Sequence, residues 1–111
     1  MRLRHKVWLD YGGRAFGDGT ERLLDEIQRT GSLRKAAAEL GMSYNKAWRT
    51  LRAAEERLGF SLLARRVGGL RGGGSQVSPR GAELLRRYQA LLADVDRDLE
   101  GLFRKHFSDW P

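Results

Sequence analysis

The chain contains no cysteine and only two histidines. The absence of cysteine excludes a disulfide framework, a thiolate metal site and a thiol nucleophile. The two histidines, His5 and His106, lie near opposite ends of the sequence, so they form no pair at metal-ligand spacing. We therefore expect no metal, no cofactor and no enzymatic activity.

Long apolar stretches are also missing. None approaches the ~20 residues that a membrane span needs. The basic segment 1–6 is not followed by an uninterrupted apolar region, so we expect no secretory signal. The 111 residues, of which 41% are hydrophobic and 32% charged, are typical of one soluble globular domain. We expect a cytoplasmic protein that does not associate with membranes.

The net charge of +7 is concentrated in the middle of the chain. Residues 33–87 carry twelve basic and four acidic side chains, whereas residues 88–111 carry three basic and five acidic ones. Such an excess is expected if one face meets a polyanion such as nucleic acid. Charge alone leaves membrane surfaces and acidic proteins as alternative partners.

The first third of the sequence predicts a strand, a loop and a helix. Residues 6–11 are rich in strand-favouring types, and the glycines at 12, 13, 17 and 19 mark a loop. A helix is expected to begin near Asp18 or Thr20, because Asp18 and Glu21 fit a capping box. Gly31 is expected to end this helix.

Two further helices follow in quick succession. Ser32 caps a helix over residues 33–40, Gly41 breaks it, and Ser43 caps a third helix that runs to about Leu58. Two short helices joined by a three-residue turn containing glycine are typical of a helix-turn-helix. The third helix is expected to bury a stripe, with Trp48 beside it packing partly inward; the stripe is Ala47, Leu51, Ala54 and Leu58.

The second half predicts a hairpin and a long helix. Strand-like residues 62–67, a glycine-rich stretch over 68–75 and Gln76-Val77 indicate a β-hairpin, or wing. The glycine-rich stretch lacks the Gly-Lys-Ser/Thr ending of a phosphate-binding loop. Ser78 caps a final helix from Pro79 to about Lys105. The predicted fold is mainly α with a small hairpin: residues 1–78 form a winged helix-turn-helix and residues 79–111 a dimerisation helix of the same domain.

The final helix carries more apolar surface than so small a domain can cover. Its stripe consists of Leu84, Tyr88, Leu91, Val95, Leu99 and Leu102. The helix of a second copy is the simplest cover for this stripe, which predicts a homodimer. Folding of the helix back onto its own domain is the alternative.

The third helix is the candidate reader of DNA. Its predicted contacts are Ser43, Tyr44, Asn45, Lys46, Arg49, Thr50 and Arg52. The N-terminal end of such a helix enters the major groove, where arginine and lysine donate to guanine and asparagine pairs with adenine. Arg34 and Lys35 are expected on phosphates. The hairpin residues Arg65, Arg66 and Arg71 are expected on the backbone or in the minor groove. Ordinary solvent exposure is the alternative for each.

Residues 31–60 resemble the N-terminal DNA-binding domain of the ModE family of molybdate-responsive regulators, and more loosely that of LysR-type regulators. The most specific matches are Gly31-Ser32, Ala36-Ala37, Ser43-Tyr44, Ala47-Trp48 and the glycines at 68, 69 and 72–74. The resemblance extends to residues 13–17 and 78–81. It implies a winged helix-turn-helix that dimerises largely through its C-terminal helix, represses or activates transcription, and contacts DNA through residues 43–49 and the wing.

One departure limits what the resemblance implies. Full-length ModE regulators carry a C-terminal molybdate-binding region, and nothing in residues 79–111 resembles it. We therefore expect either a stand-alone family member or a separate effector-binding protein, and we do not predict molybdate sensing for this chain.

These patterns together predict a homodimeric, sequence-specific regulator of transcription that binds double-stranded DNA. An architectural protein with little base preference is the nearest alternative, although it would need only phosphate contacts. A protein–protein adaptor is the other, although it would favour an apolar patch where the third helix carries Lys46, Arg49 and Arg52.

Overall fold

The computed structural model describes residues 1–65 and 74–111. Within these residues the elements are, in chain order, β1 (Leu9–Asp10), β2 (Arg14–Phe16), α1 (Asp18–Thr30), α2 (Leu33–Glu39), α3 (Tyr44–Leu58), β3 (Leu63–Arg65), β4 (Ser75–Val77) and α4 (Pro79–Phe107). The strands form two separate antiparallel hairpins, β1 with β2 and β3 with β4. The predicted mainly helical, winged-helix architecture is confirmed.

Serine caps and glycine stops set most helix boundaries. The hydroxyl oxygens of Ser32, Ser43 and Ser78 each accept the backbone N–H three residues on, at 3.1, 3.1 and 2.9 Å. Gly31 and Gly59 end α1 and α3 with φ of 73° and 81°. Since this left-handed backbone favours glycine, the side chains and the glycines together confirm the predicted boundaries.

The predicted start of α1 is confirmed, but its cap differs from the prediction. Gly17 occupies the cap position, makes no side-chain cap bond and has extended backbone, so Asp18 is already the first helical residue. The Glu21 N–H donates to the Gly17 carbonyl at 2.9 Å, and the Glu21 carboxyl interacts with Gln89 of α4. The predicted capping box between Asp18 and Glu21 is therefore wrong.

A second correction concerns the segment before α1. The strand predicted over residues 6–11 is limited to β1, and β2 forms where a loop was predicted. Leu9 pairs with Phe16, whose side chain is 1% exposed and packs edge-to-face on Tyr88 with ring centroids 5.0 Å apart. We call residues 9–16 the N-terminal hairpin. Burial of Phe16 attaches this hairpin to the core.

One core joins all four helices. It contains Phe16, Leu23, Leu24, Ile27, Leu33, Ala36, Ala37, Ala47, Leu51, Ala54, Leu62, Val77, Leu85 and Tyr88. Ala36 and Ala47 are fully buried, and their small side chains let α2 and α3 approach closely. Leu58, the last residue of the predicted α3 stripe, is partly buried against this core.

The 29 residues of α4 make the molecule elongated. Its radius of gyration is 17.0 Å, whereas a compact domain of this length has about 13 Å. The helix enters the core at Gly81, where an added Cβ would lie 2.7 Å from the Leu62 carbonyl oxygen. Beyond Tyr88 no described residue of α4 is buried. The N-terminal segment runs beside this outer half, with His5 Nε2 lying 2.7 Å from Asp96 Oδ1.

Candidate nucleic-acid interface

The turn between α2 and α3 fixes the direction of α3. Gly41 has a φ of 68°, and the N–H of Met42 donates to the Ala37 carbonyl at 3.0 Å. Ser43 then caps α3, so its hydroxyl oxygen is engaged in holding the first turn. The buried stripe of α3 faces α1 and α2, and its opposite face is therefore directed to solvent.

The solvent face of α3 is cationic and rich in hydrogen-bonding groups. Asn45, Lys46, Arg49 and Arg52, which we call the cationic face, are all exposed. Residues 44–54 include no carboxylate. In the described part of the chain, neither Lys46 nor Arg49 forms an ion pair. At Lys46 and Arg49 this face therefore combines uncompensated positive charge with donors and a neighbouring amide that suit base edges and phosphates.

Thr50 is less available than the sequence suggested. Its side chain is half-buried, and its hydroxyl donates to the Lys46 carbonyl oxygen at 2.8 Å. The hydroxyl therefore retains only acceptor capacity, which does not suit a phosphate.

Two arginines near α3 are held on aromatic rings. The Arg34 guanidinium lies 4.5 Å from the centroid of Tyr44, and that of Arg52 lies 5.5 Å from the centroid of Trp48. Lys35 is exposed in the same turn as Arg34. Stacking restricts these long side chains while their N–H groups stay available, so α2 and α3 present one continuous basic surface.

Trp48 is a functional candidate that the sequence reasoning missed. It was expected to pack partly inward, but its side chain is 46% exposed. It lines a groove of about 760 Å³ between α3 and the β3–β4 hairpin, together with Tyr44, Arg52, Leu63 and Ser75. Its position one residue beyond the buried Ala47 was the signal that could have placed it at the edge of the stripe.

Glu55 lies near the end of α3 and is half-buried. Its Oε2 accepts the N–H of Leu62 at 2.7 Å, and its Oε1 lies 3.8 Å from Arg52 Nη1. The carboxylate therefore ties the end of α3 to the segment that leads into β3.

Of the three predicted hairpin arginines, only Arg65 lies within the described residues. Arg65 ends β3, where its backbone pairs with that of Ser75. Arg66 and Arg71 lie outside the described residues. Their contact with DNA stays a prediction.

The stripe of α4 divides into a buried and an open part. Leu84 packs against the core, and Tyr88 is 2% exposed, with its hydroxyl donating to the Val7 carbonyl at 2.7 Å. Burial, followed by the nearby Glu21 and Asp18 carboxylates, raises the pKa of Tyr88. The placement of Tyr88 on a partner surface therefore needs correction, because its ring is already covered by its own domain.

The open part begins one turn further on. Leu91 is 41% and Leu102 is 50% exposed, and Val95 and Leu99 between them are half-buried. We call Leu91, Val95, Leu99 and Leu102 the open stripe. The open stripe is apolar, in contrast to the cationic face of α3.

Ion pairs within α4 neutralise much of its charge. Arg87 Nε lies 2.8 Å from Glu83 Oε1, Arg86 also pairs with Glu83, and Arg104 Nη1 lies 3.2 Å from Glu100 Oε1. Hydrogen bonds from Arg86 and Arg87 lower the pKa of Glu83 to about 2.

Two kinds of feature are absent from the described residues. That part of the chain contains no group of three or more His, Cys, Asp or Glu residues arranged to hold a metal ion. No helix within it is long and apolar enough to span a membrane.

Comparison with protein families gives one match. The family described as bacterial regulatory helix-turn-helix protein, lysR family, matches residues 21–87, which include α2, α3 and the start of α4.

Comparison with curated proteins gives relatives named for molybdenum or for regulation. The molybdenum-pterin-binding protein MopB of Rhodobacter capsulatus is 36% identical over 94 residues, covering 85% of this chain and 35% of that protein. The molybdenum transport protein ModE of Herbaspirillum seropedicae is 39% identical over 83 residues, or 75% and 30%. The transcriptional regulator ModE of Haemophilus influenzae is 40% identical over 70 residues, or 63% and 28%. This chain spans about a third of the length of the first two.

Solved structures share the fold. The crystal structure of a CbnR DBD–DNA complex matches with a TM-score of 0.62 and 20% identity, covering 79% of this chain and 95% of that one. The complex of the BenM DBD with benA site 1 DNA matches with a TM-score of 0.56 and 24% identity, covering 78% and 92%. At these identities the likeness concerns the fold alone.

Proposed function

This chain belongs to the lysR family of bacterial regulatory helix-turn-helix proteins, and on that premise we propose that it is a sequence-specific, double-stranded-DNA-binding regulator of transcription that acts as a homodimer. The observation that carries the proposal is the cationic face of α3, which is exposed, free of carboxylates over residues 44–54 and preceded by a capped turn. A polyanion with hydrogen-bonding base edges is the ligand that this chemistry suits best.

Within this proposal the residues have two roles, base reading and backbone binding. Asn45 and Arg49 read base edges, because amide and guanidinium groups form the bidentate contacts that distinguish bases. The other proposed contacts are Arg34, Lys35, Ser43, Tyr44, Lys46, Arg52, Arg65, Arg66 and Arg71, which bind the sugar–phosphate backbone or the groove walls.

The open stripe supports the homodimer. Leu91 and Leu102 are exposed in the monomer, and Val95 and Leu99 are only half-buried. A second α4 would cover all four with matching residues. Two copies would place two α3 helices on one duplex, so we propose an operator of two related half-sites.

Three narrower points belong to the same proposal. We propose that the chain itself is not an enzyme, and that it works in the cytoplasm, where bacterial DNA lies. The match covers about a third of each of the relatives named for molybdenum. We therefore assign no effector to these residues, and a separate effector-binding protein is one candidate partner.

Selection from a randomised duplex library at near-physiological salt tests the proposal. We expect enrichment of an inverted repeat with half-sites about one helical turn apart. Binding without enrichment would support the architectural alternative instead. Absence of binding at any sequence would overturn the proposal in favour of a protein adaptor.

A further inference from the structure

The α3 helix has two flanks, and each faces a different hairpin. Two residues along a helix differ by about 200° in direction, so Trp48 and Thr50 lie on opposite flanks while Arg49 between them faces outward. Trp48 lines the groove towards the β3–β4 hairpin. Thr50 and Ala53 line a second cleft, of about 340 Å³, towards Arg14 and Gly17.

The N-terminal hairpin is fixed in place beside the second flank. The Arg57 guanidinium of α3 donates to the carbonyl oxygen of Gly12 at the hairpin turn. Gly13 follows with a φ of 131°, and a Cβ at this position would collide with that guanidinium. The turn therefore needs glycine both for its backbone and for its contact with α3.

The hairpin presents a cation and an aromatic hydroxyl to solvent. Arg14 is exposed, its guanidinium lies 4.7 Å from the centroid of Trp8, and it forms no ion pair within the described residues. Tyr11 is 73% exposed at the turn. The neighbouring carboxylates are engaged elsewhere: Asp10 accepts the Gly13 N–H at 3.2 Å, and Asp18 Oδ1 lies 3.3 Å from Arg22 Nε.

We propose that the N-terminal hairpin is a second DNA-backbone contact, on the flank of α3 opposite the β3–β4 hairpin. The inference rests on the proposed function. A helix lying in the major groove, about 12 Å wide, meets one sugar–phosphate backbone on each side. The β3–β4 hairpin lies on one of these sides, and Arg14 and Tyr11 occupy the other, with Arg14 donating to a phosphate and Tyr11 to a phosphate or sugar oxygen.

The test compares Arg14→Gln with Arg97→Gln on the selected operator. Arg97 is exposed on α4, on the side away from the open stripe, so its variant loses the same charge at a distance from α3. For Arg14→Gln we expect roughly tenfold weaker binding, and a slope of log K against log salt that is shallower by about 0.9, as for one lost phosphate contact. Base preference should not change, Arg14→Lys should recover part of the affinity, and Arg97→Gln should change neither quantity.

The outcomes separate this inference from the proposed function. If the wild-type protein binds an operator and Arg14→Gln binds it with unchanged affinity and slope, the hairpin contact is refuted and the regulator survives. An Arg14→Gln variant that alters oligomer mass instead of DNA affinity would assign the hairpin to a protein contact and also overturn the inference. If the wild-type protein binds no DNA, both fail. Equal melting temperatures of the two variants verify that each is folded.

Discussion

The helices α3 and α4 both face solvent, but their charged side chains differ in whether they form ion pairs. On α3, Lys46 and Arg49 have no acidic partner within the described residues. On α4, carboxylates three or four residues away pair with Arg86, Arg87, Arg97 and Arg104, whereas Arg80 lies over the Phe60 ring. The apolar side chains differ in the reverse sense: the stripe of α3 is covered by the core, except for a partly buried Leu58, whereas α4 leaves its open stripe uncovered.

This difference indicates the chemistry of each partner. Unpaired cations beside an amide lose little on meeting a polyanion, since no internal ion pair has to be broken first. Uncovered hydrocarbon flanked by neutralised charge favours another apolar helix. The domain thus has two surfaces of different chemistry, and one partner would not suit both.

The largest expected effect comes from charging the open stripe. The double variant Leu91→Lys/Leu102→Lys should be monomeric, because burying two ammonium groups against a partner helix is unfavourable. Because a monomer binds through one α3 helix instead of two linked ones, operator binding should weaken by about 10²–10⁴-fold. Sedimentation and binding titrations measure both quantities.

The matched control for this variant is Ala90→Lys/Ala93→Lys, which adds the same charge on exposed positions of the opposite side of α4. It should remain dimeric. If the control variant were monomeric, or the stripe variant dimeric, the proposed contrast between α3 and α4 would be wrong.

Tyr88 is the last buried residue of α4, although the partly buried Leu92 still packs against the core. Tyr88→Ala should cost about 3–5 kcal/mol in the free energy of unfolding, since it empties a core position. Tyr88→Phe should cost about 1 kcal/mol through the lost bond to the Val7 carbonyl. Denaturant unfolding at fixed protein concentration measures both. Leu91→Ala, one turn further on, serves as the comparison at a protein concentration low enough for the monomer to predominate. A loss as large as that of Tyr88→Ala would contradict the difference in burial between the two positions.

On α3 the expected effect is on DNA and not on stability. Arg49→Ala or Asn45→Ala should each cost about 1–3 kcal/mol in operator binding and relax base preference at one position. Repeating the library selection with each variant measures this. Lys35→Ala should instead weaken binding evenly across sequences. An even loss for all three variants would show that no base is read by Arg49 or Asn45.

The smallest effect is expected from Glu83. Its pKa is lowered from its ordinary value near 4.5 to about 2 by hydrogen bonds from Arg86 and Arg87. A carboxylate with a lower pKa in the folded state contributes stability above the unfolded pKa, and this contribution disappears as the pH falls from about 4.5 towards 2. Melting temperatures across that range should fall less steeply for Glu83→Gln than for the wild type. Because the pair is solvent-exposed the difference should be small, and parallel curves would rule it out.

Sequence reasoning succeeded where the determinant is local. Ser32, Ser43 and Ser78 were recognised as caps because such a hydroxyl bonds an amide three residues away, whatever lies further off. Gly31 and Gly59 were recognised as stops for a comparable reason. These signals sufficed to define the helix-turn-helix and therefore the location of the cationic face.

It failed where distant parts of the chain decide. Asp18 and Glu21 fit a capping box, but Gly17 takes the cap and Glu21 reaches Gln89 of α4. The three residues of β2 are too few to show an alternating pattern, and burial of Phe16 against Tyr88 reveals them only in the fold. The same contact explains why Tyr88 and Leu91, equivalent on the stripe, lie in different environments.

Because α4 runs unbroken from the core through the open stripe, the orientation of its first half about the helix axis fixes the orientation of its outer half. A single alanine inserted after Tyr88 would turn the outer half by about 100° and advance it by about 1.5 Å. Its charge would be unchanged, yet the partner would be presented at a different angle to the cationic face of α3. In the proposed dimer, the number of residues between Tyr88 and Leu102 therefore sets the angle between the two half-sites on the duplex.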